Sequence, residues 1–433
     1  MPFKQNAFFF QLKNYFKNDI LKNVGWLFFD KFFRLGVGLF VGIWVARYLG
    51  PGNFGLWNYS IAVVAILSAF STLGLDQVLV KNLVEDQSNE DKLMGTAFFL
   101  RFFGALLAVA ISCTYIYVQN KPFLLLITFL TGLNLVFQSF DVIDLKLQSV
   151  LKSRVSVIIK NSAFTITSIL KLAVIIEKGS LIAFVIISFI EVMLGALGLI
   201  LSYNLSKVLK WHINGDYARK LLRECWPLIL SGIIIMLYVR LDQVMIGNML
   251  NTTSVGLYSV SVKFSELWYF IPTAFVGSFF PKLIQVRGDK VRYEKLCLKL
   301  LKTLFIISFF IAIAVSLFAQ KLIGSLYGPS FIASAFALKI SIWTAIFVFW
   351  GVSAGNMLVI ENLNKHNLYK SLQGLLLNIV LNLILIPRLG INGAAIATLI
   401  SQFYASYFYY LLPKATRHIF LLQSKSALFF YDL

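Results

Sequence analysis

Long apolar stretches recur along this chain, and they constrain its fold more than any other feature. A helix needs about 20 mostly apolar residues to cross the hydrocarbon core of a bilayer. Twelve stretches meet this requirement: 24–46, 55–79, 93–118, 122–145, 155–176, 180–203, 227–250, 256–280, 302–320, 333–359, 369–386 and 391–411. Of the 433 residues, 59% are hydrophobic and only 13% are charged. Soluble domains carry about twice that charged share. The sequence therefore predicts an all-α integral membrane protein with about twelve transmembrane helices.

The distribution of Lys and Arg predicts how these helices are oriented. The segments on one side of the predicted membrane hold 26 of the 39 Lys and Arg residues, when Lys302 and Lys370 at the edges of their spans are included, and the opposite segments hold five. Because membrane proteins retain basic residues on the cytoplasmic side, this asymmetry predicts that both termini are cytoplasmic. It also explains the net charge of +20 without nucleic acid, which is not an expected partner.

The longest predicted cytoplasmic linker divides the chain into two sets of six spans. The predicted parts are a cytoplasmic N-terminal segment (1–23), an N-terminal six-helix lobe (24–203), a cytoplasmic linker (204–226), a C-terminal six-helix lobe (227–411) and a cytoplasmic tail (412–433). The segments on the opposite side are too short to form a folded domain.

The two halves share a short sequence pattern. Leu49 stands six residues before Gly55, which is followed by Leu and Trp, and Leu250 stands six residues before Gly256, which is followed by Leu and Tyr. The offset between the two patterns is 201 residues throughout. Halves of six spans enter the membrane from the same side, so this repeat predicts pseudo-symmetry about an axis along the membrane normal.

Sequence signals for catalysis are weak. The dipeptide Gly-Lys does not occur, so the chain has no Walker A motif for ATP hydrolysis. Residues 351–355 match the G-x-S-x-G pattern of hydrolases, but they lie within an apolar span instead of a strand-turn-helix. Gly351 and Gly355 are better explained as small residues that allow close helix contact. The three histidines lack a metal-ligand spacing. We expect no enzymatic activity, no cofactor and no bound metal cluster.

Charged residues inside the spans are the best candidates for function, because each basic group at mid-bilayer costs about 2.5–3.5 kcal/mol. The basic ones are Lys31, Arg34, Arg101, Lys160, Lys171, Arg240, Lys263 and Lys339. The acidic ones are Asp30, Asp141, Asp144, Glu191, Asp242 and Glu266, and Asp76 near the end of the second span is counted with the adjoining segment. Eight cations against six carboxylates predict a net cationic interior, which suits an anionic substrate, especially a phosphate or diphosphate. Lys160, Asp141 and Asp144 are close enough to a helix end to reach the membrane surface.

Spacing along the helices predicts how these charges pair. Asp30 and Arg34 are four residues apart and share one helix face, and Lys263 and Glu266 are three residues apart. Arg240 and Asp242 are two residues apart, so each should meet a different helix. The aromatic residues Trp44, Trp57, Tyr258 and Trp268 are predicted interfacial anchors, with stacking on sugar rings as the alternative.

Four motifs resemble bacterial oligosaccharide flippases of the Wzx type. They are Ala46-Arg-Tyr-Leu-Gly-Pro-Gly-Asn-Phe-Gly55, Leu73-Gly-Leu-Asp76, Leu326-Tyr-Gly-Pro-Ser-Phe331 and the stretch from Asn382 to Thr398. The resemblance implies the fold of the multidrug/oligosaccharidyl-lipid/polysaccharide exporters, in which two pseudo-symmetric six-helix lobes form a V-shaped central cavity. It implies translocation of oligosaccharide repeat units linked to undecaprenyl diphosphate, by alternating access, from the cytoplasmic to the periplasmic leaflet of the inner membrane. O-antigen, capsule and exopolysaccharide remain alternative products, and a polysaccharide polymerase is the implied protein partner.

Combined with the charge pattern, this resemblance gives roles to two sets of residues. The predicted substrate-binding residues are Arg34, Arg101, Lys171, Arg240 and Lys263. The residues predicted to tune these charges, or to carry a coupling proton or sodium ion, are Asp30, Glu191, Asp242 and Glu266. The alternatives are a drug or small-molecule exporter of the same superfamily, a polysaccharide polymerase or ligase, and a structural membrane scaffold.

Overall fold

The computed structural model describes the backbone of residues 3–428 and the side chains of residues 22–428 other than 24 and 87. The described residues form α-helices, short 3-10 turns and connecting loops, without a strand. The first eight helices are α1 (Phe3–Thr72), α2 (Leu75–Glu85), α3 (Glu90–Val118), α4 (Pro122–Gln138), α5 (Val142–Ser149), α6 (Ser153–Ile176), α7 (Leu181–Tyr203) and α8 (Leu205–Val208). The remaining nine are α9 (Gly215–Met249), α10 (Thr252–Glu266), α11 (Phe270–Gln285), α12 (Lys290–Leu326), α13 (Ser334–Ser341), α14 (Thr344–Ile360), α15 (Lys365–Leu389), α16 (Ile391–Ser406) and α17 (Arg417–Ala427).

Helix α1 consists of two helices joined at Gly50. The backbone of Gly50 has φ 67° and ψ 171°, a conformation outside the helical region that glycine adopts without steric cost. Pro51 follows, where its fixed φ suits the first position of a new helix and its missing N–H costs nothing. The break therefore lies in the connection between the first two predicted spans, 24–46 and 55–79.

The number of membrane spans agrees with the predicted twelve. Ten helical runs in the described part of the chain are long and apolar enough to cross a bilayer. The first, Gly25–Glu85, has 61 residues and is interrupted at Gly50, so it contains two spans. Helix α16 has 16 residues, packs along α15 and continues into a 3-10 turn at Phe408–Leu411, which makes the twelfth. The predicted all-α membrane fold is confirmed.

The chain divides into two compact units whose limits differ from the predicted lobes. One contains Met1–Tyr48 and Val63–Ile233, and the other contains Leu49–Ala62 and Ile234–Leu433. The segment Leu49–Ala62 thus belongs with the second half of the sequence, because its glycine face packs closely on the start of α10. The first unit ends inside α9, since a single helix runs from the predicted linker into the seventh span.

Two segments predicted as a linker and a tail contain packed helices. In the predicted linker, Trp211 is buried against Phe98 and Tyr203. In the predicted tail, Ile419 and Leu422 of α17 are buried in the core that surrounds α12 and α14. The apolar residues of these segments are too widely spaced for a membrane span, but they form one buried face of a surface helix or loop.

Candidate functional site

An ion-pair network in the first unit joins three of its helices. The guanidinium of Arg34 donates from Nε to Asp30 Oδ1 at 2.9 Å, as the spacing on α1 predicts. Glu191 of α7 lies between two cations: its Oε1 is 3.8 Å from Arg34 Nη1, and its Oε2 is 3.2 Å from Lys171 Nζ on α6. Thr167 also donates to Glu191 Oε2 at 3.2 Å. The network fixes α1, α6 and α7 by charge in a region of low dielectric.

A second ion-pair group lies beside this network. Lys160 Nζ contacts Asp141 Oδ1 at 2.8 Å and Asp144 Oδ2 at 2.7 Å. Arg34, Lys160 and Glu191 line one cavity of about 180 Å³, so the two groups face a shared space. A cavity of this size accommodates several water molecules or a small ionic group.

The charges of this cavity region are balanced. The three cations Arg34, Lys160 and Lys171 are paired with four carboxylates, those of Asp30, Asp141, Asp144 and Glu191. The prediction of a net cationic interior rested on counting charges in the spans without their positions. In the first unit the cations serve mainly as partners of carboxylates, which lowers the cost of burying both.

Arg101 lies apart from this network. Its side chain is 5% exposed, and Nη1 contacts Asp76 Oδ1 at 3.2 Å, while Asp76 is 60% exposed. Arg101 Nε is buried without a hydrogen-bond partner. Asp76 belongs to the motif Leu73–Asp76 that carried the family resemblance, so this pair connects α3 to the start of α2.

In the second unit the cations outnumber their partners. Arg240 Nη2 of α9 lies 3.7 Å from Glu266 Oε2 of α10. Lys263 forms no ion pair within 4.0 Å among the described side chains, and its ammonium lies 4.7 Å from the centre of the Phe54 ring. The expected pairing of Lys263 with Glu266 is therefore absent, because Glu266 faces α9 instead. Of these two cations, only Arg240 has a carboxylate within 4.0 Å among the described side chains.

Asp242 lies in a neutral hydrogen-bonding pocket formed by α9, α10 and α16. Its carboxylate is 4% exposed, and Oδ2 accepts hydrogen bonds from Tyr258 at 2.8 Å and from Thr398 at 2.6 Å. Oδ1 is buried and has no hydrogen-bond partner. The prediction that Arg240 and Asp242 meet different helices is wrong, because both contact α10, and Asp242 contacts α16 as well. Tyr258, predicted as an interfacial anchor, is instead 1% exposed and binds Asp242.

Two asparagines of α15 extend this pocket. Asn382 lies beside the Asp242 carboxylate and donates to Asn378 Oδ1 at 2.9 Å. The Oδ1 atom of Asn382 is also buried without a partner. Thr398 lies 3.0 Å from the Ala394 carbonyl oxygen, so the pocket presents carboxylate, amide, hydroxyl and carbonyl oxygens. Such hard oxygen donors suit an alkali cation or a proton.

The residues Asn378, Asn382, Tyr258 and Thr398 were not predicted site residues. The available signal was the spacing of the two asparagines, four residues apart on one face of an otherwise apolar span. Lys370 was also missed, because it lies at the edge of a predicted span and was counted with the cytoplasmic basic residues. It is 9% exposed, donates to the Tyr410 hydroxyl at 2.8 Å and lines a cavity of about 200 Å³.

Comparison with known proteins identifies the family. Residues 44–336, more than half of the chain, match the family described as "Polysaccharide biosynthesis protein". The chain belongs to this polysaccharide biosynthesis family. Its resemblance to Wzx-type flippases is thereby confirmed, and so is its membership of a group of multi-pass membrane transporters.

Two relatives of this chain have informative names. "Probable flippase AglR" of Haloferax volcanii is 28% identical over 391 residues, covering 84% of this chain and 77% of the relative. "Capsular polysaccharide biosynthesis protein CapF" of Staphylococcus aureus is 22% identical over 405 residues, covering 90% of this chain and 99% of the relative.

Solved structures of membrane transporters have the same fold. An inward-facing multidrug resistance MATE family transporter aligns with a TM-score of 0.70 at 13% identity, covering 91% of this chain and 96% of the transporter. The lipid II flippase MurJ in an inward closed conformation aligns with a TM-score of 0.69 at 15% identity, covering 92% of this chain and 89% of the flippase. At these identities the similarity establishes the fold of the polysaccharide biosynthesis protein and leaves its substrate open.

Proposed function

We propose that the protein is a flippase that moves oligosaccharide repeat units linked to undecaprenyl diphosphate from the cytoplasmic to the periplasmic leaflet. In this proposal it works by alternating access in the bacterial inner membrane, with both termini cytoplasmic and beside a polysaccharide polymerase. The product is O-antigen, capsule or exopolysaccharide. The family match and the flippase and capsule relatives support the substrate class.

The observation that carries the proposal is the excess of cations in the second unit. Arg240 lies 3.7 Å from the Glu266 carboxylate, and Lys263 forms no ion pair among the described side chains, so this cluster can bind an anion without displacing a counter-ion from each cation. We assign Arg240 and Lys263 to the diphosphate, with the guanidinium of Arg240 able to form paired hydrogen bonds to phosphate oxygens. A transporter of organic cations would be opposed by the same charges.

The balanced network in the first unit has a different role in this proposal. Arg34 and Lys171 are each within 4.0 Å of Glu191, so a passing diphosphate would compete with that carboxylate for them. If Arg34 or Lys171 exchanged Glu191 for the diphosphate, the ion pairs between α1, α6 and α7 would change. Such a change is a physical basis for a change of conformation. Arg101 is buried against Asp76 and would bind substrate only if this pair separated.

Asp242 is the proposed site of the coupling ion. It is surrounded by neutral oxygen-bearing side chains, and two of the oxygens around it, Asp242 Oδ1 and Asn382 Oδ1, have no hydrogen-bond partner. Either a proton on Asp242 or a sodium ion held by these oxygens would remove the cost of the isolated buried charge. Ion binding at this point would also link α9, α10, α15 and α16.

Complementation of a strain that lacks its own flippase for the same glycan tests the proposal. Arg240→Glu, Lys263→Glu and Arg34→Glu should each abolish polymer output and cause the lipid-linked repeat unit to accumulate, with the protein level unchanged. Lys210→Glu, an exposed charge reversal outside both clusters, is the matched control and should complement fully. Normal polymer output from the three cluster variants would overturn the assignment.

A further inference from the structure

A groove of about 680 Å³ lies along the first half of α12, in the second unit. Its basic residues are Arg292, Lys295, Lys299 and Lys302 of α12 and Lys425 of α17. Apolar side chains, including Leu296, Leu298 and Ile306, line the same space. None of these residues belongs to the clusters assigned to substrate or to the coupling ion.

The spacing of the basic residues on α12 places them on one face. Positions 292, 295, 299 and 302 are separated by three, four and three residues, which aligns them along a helix. Helix α12 has 37 residues and is about 55 Å long at 1.5 Å per residue. Only about 20 helical residues are needed to cross the hydrocarbon core of a bilayer. The charged part of α12 therefore projects from the membrane, and the groove lies where it joins the apolar part.

The charge of the groove is strongly positive. Arg292 is paired with Asp289, whose Oδ2 lies 3.2 Å from Arg292 Nε. Glu294, on the same helix, does not line the groove. Lys295, Lys299 and Lys425 have exposed side chains that are available to a ligand approaching from outside. The described lining of the groove contains five basic side chains and no carboxylate.

We propose that this groove binds the phosphate headgroup of an anionic glycerophospholipid, with one acyl chain lying against Leu296, Leu298 and Ile306. The basic residues meet the negative headgroup, and basic residues next to a membrane surface each contribute to the binding of anionic lipid. The apolar lining distinguishes a lipid from a soluble phosphate, which would gain nothing from it. Because α17 supplies Lys425, bound lipid would also connect the last helix to α12.

Lipid binding to the purified full chain tests this proposal, measured by native mass spectrometry in detergent with added phosphatidylglycerol or phosphatidylcholine. The triple variant Lys295→Gln, Lys299→Gln and Lys425→Gln should bind phosphatidylglycerol at least tenfold more weakly, since each surface cation contributes about fivefold. Raising the salt concentration should weaken binding to the unmodified protein. The matched control removes three exposed cations from the first unit, by Lys210→Gln, Arg219→Gln and Lys220→Gln, and should retain binding.

Four results would overturn the proposal: unchanged binding in the groove variant, an equal loss in the control variant, equal binding of phosphatidylcholine, or full competition by inorganic pyrophosphate. Displacement of phosphatidylglycerol by undecaprenyl diphosphate at equal concentration would instead assign the groove to the transported lipid. Thermal unfolding of each variant in the same detergent shows whether it is folded. Because the groove residues lie outside the proposed transport clusters, this outcome is separate from that of the complementation experiment.

Discussion

Gly55 and Gly256 lie against each other and make reciprocal contacts. A Cβ atom on Gly55 would lie 1.8 Å from the Thr252 carbonyl oxygen, and a Cβ atom on Gly256 would lie 2.1 Å from the Pro51 carbonyl oxygen. Thr252 follows Pro51 by 201 residues, and Gly256 follows Gly55 by the same 201. Each repeat therefore contacts the other through the same positions, which is the signature of a two-fold relationship.

Alanine at either glycine should destabilise the protein strongly. The added methyl group would overlap a backbone oxygen that cannot move aside like a side chain, so we expect a loss of about 2–3 kcal/mol or failure to fold. Thermal unfolding in detergent, together with the yield of monodisperse protein, measures this. Gly277→Ala is the matched control, because no atom lies within 4 Å of its Cβ position, and it should be neutral or slightly stabilising. Equal behaviour of Gly55→Ala and Gly277→Ala would contradict the close contact.

Asp242→Asn should remove the effect of the coupling ion. If a cation or a proton binds at the carboxylate, adding sodium or lowering the pH should raise the unfolding temperature of the unmodified protein, by linkage between binding and folding. The asparagine variant should show neither response and should fail to support transport. Asp289→Asn, which changes an exposed carboxylate, is the control. A sodium or pH response that persists in Asp242→Asn would place the ion elsewhere.

Glu191→Ala should destabilise the first unit, because it leaves Arg34 and Lys171 without the carboxylate that they share. Breaking a buried ion pair costs about 3–5 kcal/mol, and the 20% exposure of Glu191 places the expected loss at the lower end. Arg292→Ala removes one member of an exposed pair and should cost below about 1 kcal/mol. The double variant Lys171→Met and Glu191→Met should recover much of the loss. A cost for Glu191→Ala no larger than that of Arg292→Ala would show that the network is not structural.

The fold was predictable because membrane spans depend on length and hydrophobicity, which the sequence displays directly. The twelve spans agree with the helices, and the break at Gly50 lies in the connection between the first two predicted spans. The limits of the compact units were not predictable, since they depend on the packing of Gly55 onto the start of α10. No property of a single segment shows which distant segment it will contact.

The sequence predicted which charged residues are buried in the candidate site, but it predicted less well which of them form ion pairs. Buried charges were recognisable because they are costly, and Asp30 paired with Arg34 as their spacing indicates. Pairs between helices, such as Glu191 with Lys171, require knowledge of which faces meet. Neutral polar residues such as Asn382 cost less to bury, so they stood out less and were missed.

Helix α17 should be more stable against local unfolding below neutral pH than above it. His418 Nε2 lies 2.9 Å from Glu361 Oε2, and Tyr293 donates to the same carboxylate at 3.0 Å. The hydrogen bond to Glu361 raises the pKa of His418 above its usual value of 6.5. Because the pKa of His418 is raised in the folded state, the pair contributes stability that is fully present below pH 6.5. This stability is lost as the pH rises through the pKa of His418 in the folded protein.

Hydrogen exchange of the amides in Arg417–Ala427 should show this dependence. After correction for the intrinsic effect of pH, protection of α17 should fall between pH 6 and pH 9 in the unmodified protein. The change should be modest, because the His418 side chain is 38% exposed and solvent screens the pair. His418→Gln, which keeps a donor but cannot become charged, should make protection independent of pH, and Glu361→Gln should do the same. Protection that falls equally in His418→Gln would assign the pH dependence to another group.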